Sequence, residues 1–476
     1  MEYLATIGLE VHVQLQTQSK IFCSCPTTFG AAPNSNTCPV CLGLPGALPV
    51  LNKKAVDLAI SLGLALNCQI QNKAIWDRKN YFYQDLPKGY QITQLTHPLC
   101  LNGYINIKSN DQDKKININR IHMEEDAGKS IHDGDDERYT LVDLNRAGTP
   151  LCEIVSEPEL ESAQEAGSYL DTIRSIVRYT QVGDGNMEEG SLRCDANISI
   201  RPKGQKELGT KVEIKNLNSI KFLEKAINYE IQRQQAVITD GGTIVQETRL
   251  FDSHKNITQS MRSKEDSHDY RYFPDPDLVP LLVDDAWIQN NQKNLPELPQ
   301  AKCQRFINEH NLSEYDAQVL TADKDLADYF EATTAIHPNP KKIANWIMTE
   351  IMRDLNDKNI EIKNYPINPK NLARLVELID KNTISGTVGK TVLKEMNLSN
   401  KDPDSIITEQ NLGQVSDTGA IESIIDDIIK ANPNQLQQYK AGKDKLFGFF
   451  VGQTMKAMKG KANPQVVNEI LKKKLN

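Results

Sequence analysis

No apolar run in this 476-residue chain approaches the roughly 20 residues that a membrane-crossing helix needs. The sequence also enters a strand-like pattern directly, without the basic, apolar and small-residue succession of a secretory signal. Both absences lead us to expect a soluble cytosolic protein with no membrane partner. Missing too are a G-x-x-x-x-G-K-[ST] loop, a G-x-G-x-x-G after a strand and a G-x-S-x-G elbow, which removes several familiar nucleotide and hydrolase mechanisms. No side chain announces itself as an activated nucleophile. No internal repeat and no low-complexity tract is found, so solenoid architectures are excluded.

What is present begins with charge placement. The net charge is −8, but from Lys440 to Asn476 nine lysines stand against Asp444 and Glu469, a local +7, so the remainder carries −15. Such a tail can neutralise phosphates locally while the rest of the molecule repels them, although a solvated helical surface would have the same composition. The length predicts roughly two to four domains. The residues up to 294 alternate between period-two strand patterns and two clear helices, one from about Ser162 with Glu165 completing a capping box, the other from about Ser219 to Val237. Closely spaced prolines in residues 272–280 and the amide run from Gln289 to Asn294 resist regular structure and mark a boundary near Leu295 to Pro299. Beyond it, Ile343, Trp346, Ile347 and Ile351, then Leu372, Leu375, Val376 and Ile379, repeat at helical spacing. A break at residues 397–404 precedes a last helical set. The expected fold class is α+β: a mainly antiparallel-sheet domain over 1–294, an all-α domain over 295–400 and a small basic all-α tail over 401–476.

The first strand pattern carries the most chemistry. Alternation puts Ile7, Leu9, Val11, Val13 and Leu15 on one face and Glu10, His12 and Gln14 on the other. A carboxylate and an imidazole two residues apart on a strand project side by side, as a divalent-ion site or an acid/base pair requires, and a solvated sheet face is the competing reading. Arg193, Asp195 and Asn197 form a second polar face against Leu192, Cys194 and Ala196, while Lys211, Glu213 and Lys215 alternate with Val212 and Ile214. Residues 121–129 concentrate four ionisable groups before a glycine. Glu153 returns from a turn made by Gly148 and Pro150, a turn in which Asp143 or Arg146 could be structural. If these strands are neighbours, their polar side would suit Mg²⁺ and phosphate. Residues 77–83 interleave cations with aromatics, which suits nucleic acid and equally the rim of a core.

Nine cysteines are an odd count for a disulfide framework. Cys23, Cys25, Cys38 and Cys41 form C-x-C-x₁₂-C-P-x-C, two close pairs suited to tetrahedral zinc, with a structural role because four thiolates leave no open position. Cys68, Cys100, Cys152, Cys194 and Cys303 read as small core residues.

Taken together, the segments IGLEVHVQL, WDRKNYFYQDLPKGYQITQ, HMEEDAGKS, VDLNRAGTPLCEIVSEPE, MEEGSLRCDANIS, KVEIKNLNS and DYRYFPDPDLVP resemble the B subunits of tRNA-dependent amidotransferases. The likeness in domain layout runs end to end. The resemblance implies a cradle domain related in fold to glutamine synthetase, a helical domain and a tail that meets tRNA. It implies an ATP- and Mg²⁺-dependent phosphorylation of the side-chain carboxylate of Glu-tRNA(Gln) or Asp-tRNA(Asn), after which ammonia displaces phosphate. Ammonia would come from glutamine hydrolysed on a separate amidase, the A-type partner, strapped on by a small C-type partner in a heterotrimer, with the cognate aminoacyl-tRNA synthetase as a further partner. Carried over residue by residue, the metal and phosphoryl site takes Glu10, His12, Glu124, Glu125 and Glu153, with Arg193, Asp195, Lys211, Glu213 and Lys215 beside them; Glu10, His12, Glu125 and Glu153 are the Mg²⁺ ligands. Lys79, Tyr81 and Arg146 become cofactor contacts, the four cysteines hold zinc, and Lys443, Lys445, Lys456, Lys459 and Lys461 meet the tRNA. A bacterial cytoplasm is expected. The rivals are a tRNA-binding scaffold of the same complex without chemistry of its own, a free-standing ligase for a small acid, and a zinc-dependent RNA-binding module.

Overall fold

Alternation along the first strand, Tyr3–Gln14, decides which side of the sheet is buried: Ile7, Leu9, Val11 and Val13 are at most 1% exposed, while Glu10, His12 and Gln14 are only partly covered. In the computed structural model, which describes residues 2–110, 112–131, 139–261, 269–412, 418–458, 462 and 464–475, this strand lies in the middle of a nine-stranded sheet. Its order is Ile257–Ser260, Thr248–Asp252, Val212–Lys215, Leu192–Pro202, Tyr3–Gln14, Pro150–Ser156, Gln112–Glu125, Cys100–Ser109 and Gln69–Ile70. Neighbours pair antiparallel except Val212–Lys215 with Thr248–Asp252. The strands singled out for their polar faces are therefore contiguous.

Helices cover the apolar face. Ala163–Tyr179 buries Tyr169, Leu170, Ile173 and Val177, and Ile220–Thr239 buries Leu223, Ala226 and Ile227. The first begins at Ser162, whose hydroxyl accepts the Glu165 N–H, but the Glu165 carboxylate accepts from the Glu161 N–H rather than from Ser162 and also takes Ser109 and Lys114, so the capping box is only half formed. A third helix, Lys53–Ala65, was not predicted from the sequence, although Lys53, Asp57 and Ser61 mark a narrow polar stripe at helical spacing opposite its eight buried residues. A further correction concerns the amide run after Gln289. It is helical, within Asp285–Lys293, because Asp284 caps the first turn through the Trp287 N–H and the Trp287 indole N–H and the Asn291 side chain meet Asp57 and Ser61 of the third helix.

The chain divides into two compact units, Met1–Pro299 and Gln300–Asn476. The second is helical and holds two cores. Leu372, Leu375, Val376 and Ile379 of Pro369–Asp380 pack with Ile343, Trp346, Ile347, Ile351 and, from Pro403–Glu409, Ile406. Ile421 and Ile425 form the other with Phe450, Val467, Ile470 and Leu471. Among the described residues no helix is long and apolar enough to cross a membrane.

Candidate functional site

Strand register builds the site. On four adjacent strands Arg193, His12, Glu153 and His122 stand directly opposite one another, and one step along the sheet Glu10 stands opposite Asp195. Directly paired residues of antiparallel strands project on the same side with Cβ atoms roughly 5 Å apart, so the polar face becomes two groups of ligand-type side chains. In each group the donor atoms lie within 4.8 Å of one another: His12, Glu124 and Glu153 in the first, Glu10, Asp195 and Glu213 in the second.

In the first group both imidazoles converge on one oxygen. His12 Nε2 lies 3.4 Å and His122 Nε2 3.2 Å from Glu153 Oε2. Glu124 lies 3.7 Å from the one ring and 3.8 Å from the other, with Thr93 Oγ1 at 3.4 Å. Burial opposes ionisation of Glu153, yet the His122 charge and the hydrogen bonds from both rings hold its carboxyl well below the usual range. Glu124 moves the other way, raised by burial and then by the Glu153 charge. Burial also disfavours protonated His12, but the hydrogen bond and charge of Glu153, with Glu124, outweigh it and raise its pKa. Flanking this group, Asp126 takes a two-pronged contact from Arg193, 3.0 Å at each prong, and the Gln14 amide at 2.8 Å.

The second group is neutralised by an amine. Lys215 Nζ lies 2.7 Å from Asp195 and 2.9 Å from Glu213. Asn197 donates to Glu10 at 3.0 Å and Thr248 to Glu213 at 2.7 Å. Burial, then the charges of Glu153, Glu213 and Asp195, push the Glu10 carboxyl up; burial acts against ionised Glu213, but Lys215 and Thr248 hold it down. Lys211 is exposed just outside this group.

Glu125 is a correction to the predicted ligand set. As the neighbour of Glu124 on one strand it projects to the other side, where it pairs with Lys88 and accepts the Ile92 N–H at 2.9 Å. The Arg146 guanidinium donates to the carbonyls of Ala127 at 2.9 Å and Gly128 at 2.5 Å and lies 3.6 Å from Asp126, which fixes its turn as the structural reading of this residue required. Lys79 and Tyr81 do lie beside the first group; the Lys79 amine sits 4.9 Å over the Tyr270 ring and 5.8 Å over that of Tyr81, and the Glu124 charge helps to raise its pKa against burial. In the tail, Lys443, Lys445 and Lys456 are exposed, whereas Lys459 and Lys461 lie outside the described residues. Two members of the site were missed in the sequence, His122 and Asp126. The position of His122, two residues before Glu124, already placed both on one face.

The four sulfurs of Cys23, Cys25, Cys38 and Cys41 also lie within 4.8 Å of one another, and those of Cys38 and Cys41 are 3.9 Å apart. Zn–S bonds of about 2.3 Å in a tetrahedron require sulfurs about 3.8 Å apart, so this donor set fits zinc. The hydrogen bond from Cys23, then the Cys38 N–H and the Lys20 charge, hold the Cys41 thiol down at about 4 against its burial.

The fold and these groups describe a mixed α+β protein whose sheet carries, on one face, two groups of side chains of the kind that could hold divalent ions, together with a helical second unit. Comparison with known proteins is more specific. Residues 5–289 match the GatB/GatE catalytic domain and residues 328–475 the GatB domain, and the chain belongs to this family. It is 58% identical over 473 residues to the B subunit of the aspartyl/glutamyl-tRNA(Asn/Gln) amidotransferase of Syntrophotalea carbinolica, covering 99% of this chain and 98% of that one. The B subunit of the same name from Geotalea uraniireducens is 58% identical over 481 residues and that from Persephonella marina 56% over 476, each across 100% of both chains.

Proposed function

We propose that this chain is the subunit of a tRNA-dependent amidotransferase that holds Glu-tRNA(Gln), Asp-tRNA(Asn) or both and activates the attached side-chain carboxylate with ATP. The observation that carries the reading is the pair of ligand groups on one sheet face, in a chain 54–58% identical across its length to relatives named for that activity. A free carboxylate is too poor an electrophile for ammonia; phosphorylation supplies a leaving group, and ammonia then displaces phosphate to leave the amide. Two hard-cation sites suit that first transfer, with the sheet in the role of a glutamine-synthetase-like cradle. Mg²⁺ at these groups would neutralise charge on the transferring phosphoryl group.

The chain's own residues prepare that work. Glu124 and Glu153 with His12, and Glu10 with Asp195 and Glu213, present the ligand atoms. His12 and His122 keep Glu153 ionised, and Arg193 and Gln14 fix Asp126 behind the first group. Lys79 supplies a cation at the rim. Glutamine hydrolysis belongs to a separate amidase, the A-type partner, bound together with the small C-type partner, because no activated nucleophile stands out here. The exposed Lys443, Lys445 and Lys456 contact the tRNA body, and the cysteines hold a structural zinc. Such a complex works in the bacterial cytoplasm.

The test is to assemble the chain with its amidase and small partners, supply ATP, Mg²⁺ and glutamine, and analyse the amino acid released from Glu-tRNA(Gln) and Asp-tRNA(Asn). Glutamine or asparagine on the tRNA establishes the reading and the substrate. Unchanged acid from a fully assembled complex makes the chain a scaffold.

A further inference from the structure

Lys20 is fully buried, 0% exposed, and belongs to none of the groups above. Long charged side chains normally reach water, and an ammonium that cannot do so requires both an anion and a full set of acceptors. Its three N–H donors have three acceptors: the Asn36 carbonyl at 2.7 Å, the Leu144 carbonyl at 3.4 Å and Cys41 Sγ at 3.5 Å. Among the described residues no carboxylate lies within 4.0 Å of Nζ. Of the three acceptors, the one that carries charge as a thiolate is Cys41, while the nearby Glu125 carboxylate is paired with Lys88. A divalent ion held by four thiolates leaves two negative charges uncompensated, and one buried ammonium removes half of that excess.

We infer that Lys20 is the charge-compensating positioning residue of the Cys23–Cys25–Cys38–Cys41 centre and joins that centre to the Leu144–Gly148 turn. The inference rests on the zinc reading of the four cysteines. The joint has further members. Asn34 donates to the Val142 carbonyl at 2.9 Å, Asn145 donates to the Ala32 carbonyl at 2.7 Å, and the Asn36 N–H reaches the Asn145 side chain at 2.7 Å. The Ile21 N–H donates to the Gly148 carbonyl at 2.9 Å. Gly148 has φ +84°, and a Cβ there would meet Cys41 Cβ and Lys20 Cδ, each at 3.5 Å, and Glu125 Oε2 at 3.9 Å. The same turn carries Arg146 to Asp126, which Arg193 grips beside the first ligand group. Zinc bound by the four cysteines would thus hold a turn that abuts the sheet site.

The experiment uses the full-length chain and reads zinc, not activity. Metal content by mass spectrometry and the rate of zinc release to a colorimetric chelator are measured for wild type, Lys20→Met, Cys23→His and the double variant, with amide exchange at residues 144–148 alongside. Loss of an outer-shell partner costs 10–100-fold in metal affinity. Lys20→Met is expected to release zinc at least about tenfold faster and to lose amide protection in the turn. In the Cys23→His background, where the centre carries one negative charge fewer, the same substitution is expected to have a clearly smaller effect; a purely packing role for Lys20 would leave the two effects equal. Equal effects, or wild-type release from Lys20→Met, overturn the inference. If Lys20→Met is not recovered folded, the double variant decides: folded and zinc-loaded it supports charge compensation, otherwise it overturns it. Wild type purified without metal defeats the zinc reading itself, and the inference with it.

Discussion

The His12–Glu124–Glu153 group and the Glu10–Asp195–Glu213 group lie on one face of adjacent strands, yet their negative charge is balanced by different chemistry. In the first, the partners of Glu153 are imidazoles, and that of His12 can act as a charge partner or, neutral, as a ligand. In the second, the cation is the Lys215 ammonium, raised in pKa by Asp195 and Glu213 against its burial, and it sits on the oxygens that a metal would need. A divalent ion entering the first group would displace a proton from His12, and one entering the second would displace an amine.

The largest expected effect comes from Glu124→Gln. Removing one ligand oxygen from a metal-assisted phosphoryl transfer forfeits several kcal/mol of charge stabilisation, about a thousandfold in rate. Because burial and Glu153 already disfavour ionised Glu124, the fold itself should be as stable as wild type or slightly more so. Amidation assays paired with thermal unfolding check this. Equal loss of activity and stability would make Glu124 a structural residue and break the comparison.

Asp126→Asn tests the flank of the first group. It leaves Arg193 and Arg146 without their shared carboxylate, at a cost of about 3 kcal/mol, the low end for a broken buried pair because both guanidiniums reach solvent. Against its burial, Arg193 and Arg146 hold Asp126 at about 2. A carboxyl depressed in the folded state contributes its full stability above the unfolded value of about 3.9 and loses it as pH falls toward the folded one. Urea unfolding should therefore show a constant gap between wild type and variant from pH 7 to about 5, closing between about 4 and 2.

Much of this face was legible because a strand has a period of two: Glu10, His12, Asp195 and Glu213 could be assigned to polar faces from local alternation alone. The same rule, applied to Glu125, would have put it opposite Glu124. What local pattern could not supply was register. His12 meets Glu153 and Arg193 across 141 and 181 residues of chain, and those pairings are fixed by burial of the other face and by the turns between strands. The Arg146 side chain was ambiguous for a related reason, since its acceptors are backbone carbonyls, which no sequence marks. The Lys53–Ala65 helix was legible in the narrow stripe of Lys53, Asp57 and Ser61, four residues apart, and the rule was not applied there.

His122→Gln sharpens the comparison from within the first group. His122 touches Glu153 and Glu124 and acts on any ion only through them. Loss of such an outer partner should raise the Mg²⁺ concentration needed for half-maximal amidation about tenfold while leaving the rate at saturating Mg²⁺ largely intact. A fall in the saturated rate with no change in Mg²⁺ dependence would instead place His122 in contact with the substrate.

Lys215→Met is the smallest expected effect and the most direct test of the difference between the groups. Without divalent ions the variant leaves three carboxylates facing one another, and the partly exposed pair it removes should cost no more than about 1 kcal/mol. With Mg²⁺ the sign reverses, because the ion no longer has to displace an ammonium from Asp195 and Glu213. Affinity at this group should rise several-fold, on the order of 1 kcal/mol, and Mg²⁺ should raise the thermal midpoint of the variant more than that of wild type. Removing a proton donor from the first group by His12→Gln should produce no such gain, since there the imidazole is itself a ligand. If Lys215→Met and wild type respond to Mg²⁺ alike, the ammonium and the ion do not compete, and the second group works as a salt-bridge network that holds the sheet instead of as a second metal centre.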